Sequence, residues 1–144
     1  MGVMRCFLAV QPDKGTIKKI AVAQADMKAA LPDLCWVNPD DMHITLHFFG
    51  EIDLPQIELF DAELSGLSSK TPSFELGITG LGLFPERGAP RVLWLGLTDS
   101  SPLKELKGGI DQALRAWGFP VETRRFWPHL TLARIPQGAN LHMD

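Results

Sequence analysis

The stretch Met42-His43-Ile44-Thr45-Leu46-His47-Phe48-Phe49-Gly50 decides how the rest of the chain is read. In an extended backbone its side chains alternate, with Ile44, Leu46 and Phe48 on one side and His43, Thr45 and His47 on the other. That pattern predicts a strand over 42–49 with a buried apolar face and a polar working face, ended by Gly50. A second stretch, Pro128-His129-Leu130-Thr131-Leu132-Ala133-Arg134-Ile135, repeats it. Here His129 and Thr131 share one face and Leu130 and Leu132 take the other, so a strand is expected over 128–135.

Working outward from these two strands, the short apolar run 5–10 reads as a buried strand stopped by Gln11-Pro12. Asp13 then caps a helix whose apolar positions, Ile17, Ile20, Ala21, Met27 and Leu31, recur at helical spacing before Pro32. Asp53 caps a second helix with Pro55 in its first turn and Ile57, Phe60, Leu64 and Leu67 as its buried stripe. Segments 74–83 and 91–97 read as a hairpin joined by the turn formers of 84–90. Ser101-Pro102 opens a third helix with Leu103, Leu106, Ile110, Leu114 and Trp117 on its apolar face, and Gly118 closes it. The order β-α-β-α-β-β-α-β suits an α+β domain in which helices cover a largely antiparallel sheet. Each half of the chain offers a strand, a helix and a strand carrying His-x-Thr-Leu, which suggests two related halves.

A chain of 144 residues, 45% of them hydrophobic, can bury one sizeable core, so a single domain over 1–144 is expected. No apolar run approaches the roughly 20 residues that cross a bilayer. The first residues show no secretory cleavage site and no myristoylation signal, so a cytoplasmic protein without membrane attachment is expected. Cys6 and Cys35 lack metal-ligand spacing and stand in apolar contexts, which predicts buried thiols in a reducing compartment. A net charge of -3 argues against coating a long nucleic acid through its phosphates, while a local phosphate site stays open. Arginines gather in two neighbourhoods, Arg87 with Arg91, and Arg124 with Arg125 and Arg134.

A His and a Thr two apart on a strand bring an imidazole and a hydroxyl donor to one point. A pair of such strands could hold a phosphodiester by its non-bridging oxygens with an imidazole at either end of the line of attack. Hydrolysis needs a base for the water and an acid for the departing oxygen, and imidazole titrates close to neutral pH. No cofactor or metal is needed for that chemistry. His43 and His47 share a face, which would permit metal ligation, yet Ile44 rather than glutamate follows His43 and no cysteine or carboxylate cluster stands nearby apart from Asp40 and Asp41. No metal site is expected, and His47 is placed at the rim. A lone His-x-Thr is usually an ordinary satisfied histidine; the repetition carries the inference.

The runs Cys6-Phe7-Leu8-Ala9-Val10, His43-Ile44-Thr45-Leu46-His47-Phe48-Phe49-Gly50, Arg91-Val92-Leu93-Trp94-Leu95-Gly96 and Pro128-His129-Leu130-Thr131-Leu132-Ala133-Arg134, in this order, closely resemble the RNA 2′,3′-cyclic phosphodiesterases, or 2′-5′ RNA ligases, of the two-histidine phosphoesterase superfamily. The resemblance covers nearly the whole chain. It implies a two-lobed α+β fold with largely antiparallel sheets around a central groove and helices outside. It also implies hydrolysis of a terminal 2′,3′-cyclic phosphate to a 2′-phosphate, with 2′-5′ ligation as a reversible side activity. His43 would be the proton donor to O3′ and His129 the base, with Thr45 and Thr131 holding the phosphate. Arg134 would add positive charge, although regular strand parity sets it opposite His129. His47, Phe49, Phe84, Arg125 and Trp127 are candidates for groove or base contacts, since aromatic stacking tolerates any base. RNA ends or small cyclic-phosphate nucleotides are the expected partners. Family members usually continue well past the second motif, so a missing C-terminal strand segment and an exposed sheet edge are expected here. Two other readings stand beside this one: a related phosphodiesterase acting on another small cyclic phosphate, and a non-catalytic nucleotide or RNA-end binding module. The sequence leaves the oligomeric state undetermined.

Overall fold

The computed structural model describes residues 2–98, 100–122, 125–139 and 141. Strand β1 (Val3–Val10) leads to helix α1 (Lys14–Ala30), whose start is fixed by the Asp13 carboxylate accepting the Thr16 amide hydrogen at 3.0 Å. The short strand β2 (Cys35–Trp36) and one 3₁₀ turn (Pro39–Asp41) precede β3 (Ile44–Asp53). A capping box formed by Asp53 and Gln56 starts α2 (Leu54–Lys70). The hairpin β4 (Ile78–Phe84) and β5 (Val92–Leu97) follows, and then α3 (Ser101–Ala116), capped by the Ser100 hydroxyl. Gly118, at φ 81°, takes the left-handed conformation that ends α3, and β6 (His129–Arg134) is the last strand.

The chain divides into two compact units, each built from three separate stretches. One comprises Met1–Leu8, Leu46–Gly77 and Thr98–Trp127. Within it β1 pairs with β3 in a two-stranded sheet, and α2 and α3 contact each other. Phe60 on α2 is its aromatic centre, stacked on Phe49 (5.5 Å between centroids) and Trp117 (4.4 Å) and met edge-on by Phe119. Leu103, Ile110 and Leu114 turn the apolar stripe of α3 fully inward. The other unit comprises Ala9–Thr45, Ile78–Leu97 and Pro128–Asp144 and holds a four-stranded sheet in the order β2-β6-β5-β4 with α1. All three strand pairings in that sheet are antiparallel. Its core gathers Ile20 and Leu31, Leu34 and Met42, Leu93 and Leu95, and Leu130, Leu132, Ala133 and Ile135. The predicted α+β class and element order are seen, with β2 and the 3₁₀ turn added.

Several expectations need correction. Gly50 does not end β3; at φ 73° it is accommodated inside the strand, which regains a buried side chain at Ile52. Phe48 is 56% exposed rather than buried, and the Arg5 guanidinium from the neighbouring strand lies over its ring at 5.7 Å. Strand β4 starts at Ile78, not at residue 74, because its partner β5 runs out at Leu97, where the register pairs the two. Cys35 is exposed and Cys6 half-buried. The register sets Cys35 opposite Arg134 on an outer strand, and this is the solvent side of the sheet.

Candidate active site

The register of β5 against β6 contains one irregularity that governs which side chains share a face. Trp94 pairs with Thr131 and Leu93 with Ala133, so two consecutive residues of β5 span three of β6 and Leu132 is the extra residue. A β-bulge of this kind resets the alternation. Leu132 and Ala133 therefore both turn into the core, each at 0% exposure, and Arg134 returns to the exposed face that carries His129 and Thr131. Regular parity, which set Arg134 on the other face, is overturned by the bulge. Two donors anchor it: the Val37 amide reaches the Leu132 carbonyl at 2.9 Å, and the Gln24 side-chain amide reaches the same carbonyl at 3.2 Å. Gln24 also donates to the Val37 carbonyl at 2.8 Å, which accounts for a polar side chain buried at 6% exposure in this core.

His43 and Thr45 belong to the same compact unit as His129 and Thr131. The residues that flank these positions, Met42 and Ile44, and Leu130 and Leu132, are all buried, and Met42 shares one core with the two leucines. His43 and Thr45 are half-buried, His129 is exposed and Thr131 half-buried. The Nδ1 atom of His43 stands 2.7 Å from the Asp41 carbonyl oxygen. A carbonyl can only accept, so Nδ1 carries a hydrogen and Nε2 is left as the nitrogen that gains or loses a proton.

On the exposed face of the four-stranded sheet, directly opposed residues lie side by side. One row holds Thr131, Trp94 and Gly82; the next holds His129, Gly96 and Gly80; a third holds Cys35, Arg134, Val92 and Phe84. The Trp94 ring meets the His129 ring at 6.0 Å and 62°. Phe84, 57% exposed, therefore shares this face with His129, Thr131 and Arg134. Trp94 has the same standing, although the sequence offers it only as one member of the run Arg91–Gly96. Its signal in the sequence was the glycines at 82 and 96, within strands where side chains are normally wanted.

The remaining candidates lie in the other unit. His47 meets the Phe49 ring edge-on at 4.7 Å, and Phe49 is itself engaged with Phe60 and Phe119 in the aromatic centre. Burial, followed by the Lys107 charge, lowers the pKa of His47 against the opposing effects of Asp111 and Glu122. Arg125 lies over the ring of Trp127, 4.5 Å from its centroid, and Trp127 is 65% exposed. The same Arg125 lines a cavity of about 340 Å³ with Lys104, Lys107, Gly108, Asp111 and Phe126. Arg124 lies outside the described residues. Among the described residues no three His, Cys, Asp or Glu side chains gather where they could hold a metal ion. No described helix is long and apolar enough to cross a membrane.

The profile of the LigT-like phosphoesterases matches residues 10–94. The chain belongs to that family. It is 34% identical over 132 residues to an RNA 2′,3′-cyclic phosphodiesterase of Geobacillus stearothermophilus, covering 92% of this chain and 42% of that protein. A Methanothermobacter thermautotrophicus protein of the same name is 31% identical over 132 residues, covering 92% of this chain and 71% of its own. The chain thus spans under half of one of these LigT-like relatives and about 70% of the other. Among solved structures, TT0787 of Thermus thermophilus superposes with a TM-score of 0.78 at 27% identity, covering 98% of this chain and 79% of that one. E. coli LigT complexed with ATP superposes with a TM-score of 0.64 at 27% identity, covering 92% of this chain and 72% of that one.

Proposed function

We propose that this LigT-like chain hydrolyses the 2′,3′-cyclic phosphate at RNA ends to a 2′-phosphate, in the cytoplasm and without a metal ion. One observation carries the reading: two His-x-Thr segments stand in one compact unit, and Met42 beside the first shares a core with Leu130 and Leu132 of the second. The names of the relatives and the nucleotide complex of a LigT structure support the choice of substrate.

His129 takes a proton from water as the water oxygen attacks phosphorus. The P–O3′ bond breaks, and His43 delivers a proton from Nε2 to O3′, leaving a 2′-phosphate and a 3′-hydroxyl. The Asp41 carbonyl orients the His43 ring for that transfer by holding Nδ1–H. Thr45 and Thr131 donate to the non-bridging oxygens, and Arg134 offsets the charge that grows there in the transition state. A 5′-hydroxyl in the place of water would form a 2′-5′ linkage by the same step.

The test is an oligonucleotide ending in 2′,3′-cyclic phosphate, incubated with EDTA and with wild type, His43→Ala or His129→Ala. Each substitution is expected to lower turnover by about 10²- to 10⁴-fold, the usual contribution of an acid or base. Turnover that survives both substitutions refutes the mechanism, and turnover lost to EDTA refutes metal independence. Tight binding without turnover by the wild type would identify a binding module.

A further inference from the structure

We infer that Gln24, on helix α1, is a positioning residue for Arg134: its side-chain amide locks the extra residue of β6 and so keeps the guanidinium on the face of His129 and Thr131. This rests on the hydrolytic reading above, in which Arg134 offsets charge on the phosphate. Helix α1 buries two residues, Ile20 and Gln24, which share one stripe with Met27 and Leu31. Gln24 thus stands where an apolar side chain would fill the core, and among the described residues it is the one buried polar side chain. Both hydrogens of a single nitrogen are committed: Nε2 donates to the Val37 carbonyl at 2.8 Å and to the Leu132 carbonyl at 3.2 Å.

The clamp falls where the strand register gives no hold. Strand β5 pairs with β6 on either side of Leu132, through Trp94 with Thr131 and Leu93 with Ala133, and skips Leu132 itself. Strand β2 pairs with Ala133 and Arg134 and skips it too. The Leu132 carbonyl is met instead by the Val37 amide and by Gln24. A register continued without interruption from Trp94 and Thr131 would set Leu132 on Leu93, Ala133 on Val92 and Arg134 on Arg91. That exchange puts the guanidinium on the core side and opposite a like charge, whereas His129 and Thr131 precede the extra residue and keep their places. Loss of the amide therefore acts on the arginine and spares the histidine.

The experiment is a double-mutant cycle on hydrolysis of adenosine 2′,3′-cyclic phosphate by wild type, Gln24→Leu, Arg134→Met and the double variant, well below the melting temperature of each. Arg134→Met should lower kcat by about 10²- to 10³-fold, the range for removing one group that stabilises transition-state charge. Gln24→Leu should lower kcat by about 10-fold, within the roughly 10²-fold that a misplacement of about 1 Å costs. KM should change far less, because the charge that Arg134 meets grows in the transition state. In the Arg134→Met background the same change should alter kcat by less than about twofold, while it lowers the melting temperature as much as in the wild type. Gln24→Met keeps an unbranched stem without the donor; it should behave as Gln24→Leu does, and it replaces that variant if the leucine protein does not fold. A wild-type kcat in Gln24→Leu, or an equal loss of rate in both backgrounds, overturns the proposal. If the wild type does not hydrolyse the cyclic phosphate, the hydrolytic reading fails, and affinity for adenosine 2′-phosphate across the same four proteins tests the positioning, since that phosphate carries a charge of about −1.5 to −2 at pH 7. Weaker binding by Gln24→Leu that vanishes in the Arg134→Met background supports it, and unchanged binding or additive losses overturn it.

Discussion

Replacing Gln24 with leucine isolates the contribution of one buried amide. Its side chain is 6% exposed and donates to the Val37 carbonyl at 2.8 Å and the Leu132 carbonyl at 3.2 Å. Leucine has a similar volume, so little packing is lost, but both donors disappear. The Leu132 carbonyl keeps the Val37 amide at 2.9 Å, so its loss is the smaller, about 0.5 kcal/mol. The Val37 carbonyl loses a short bond in a part-buried setting, which costs about 1–2 kcal/mol. Together these give a destabilisation of about 2 kcal/mol, and a melting temperature lower by roughly 4–8 °C for a chain near 150 residues. Urea unfolding followed by tryptophan fluorescence measures it: with a slope of about 2 kcal/mol per molar, the midpoint should drop by about 1 M at unchanged slope. Gln24→Glu should cost more, since a carboxylate can only accept and would face two carbonyl oxygens. A loss below about 0.5 kcal/mol for Gln24→Leu would show that water satisfies the carbonyls and that the amide does not hold the bulge.

Two further outcomes follow from single sites. Because burial and Lys107 depress the pKa of His47 below its ordinary 6.5, the unfolded chain binds more protons there. The contribution of His47 to stability is therefore full above about pH 6.5 and declines as pH falls through its folded pKa. NMR titration should find it below 6.5, and His47→Gln should flatten the stability slope in that window. Asp53→Ala removes the side-chain acceptor of the Gln56 amide and half of the capping box, and should cost about 1 kcal/mol in urea unfolding, with Asp53→Ser recovering most of it.

Much of the architecture was legible because alternation and capping are local properties. Asp13 and Asp53 cap the helices as their side chains predict, and Ile44, Leu46, Leu130 and Leu132 are buried between the polar positions of the two motifs. What alternation cannot see is a break in itself. The consecutive apolar pair Leu132-Ala133 was the visible trace of the bulge, but it is also what an ordinary strand end looks like. Gln24 is absent from the apolar positions that marked α1 in the sequence, because its two acceptors are carbonyls 13 and 108 residues away. Trp94 read as one member of an apolar run, since its importance lies in what its neighbours at 82 and 96 lack. The lengths of short pairings were equally hidden: β2 exists because β6 offers it an edge, and β4 begins where β5 supplies its last partner.

The extra residue in β6 also imposes an arithmetic on anyone who transplants this motif. Arginine stands five places after His129, an odd separation, and in a uniform ribbon an odd separation means opposite sides. A segment copied onto an idealised strand would send the guanidinium into the interior, where an unpaired cation is costly. Shortening the segment by Leu132 would restore a regular repeat, with an even spacing that keeps the cation beside the imidazole, but it would give up a core leucine and the carbonyl that holds α1. The irregularity lets one short segment fill the interior with two adjacent side chains and still deliver three polar ones to the same side.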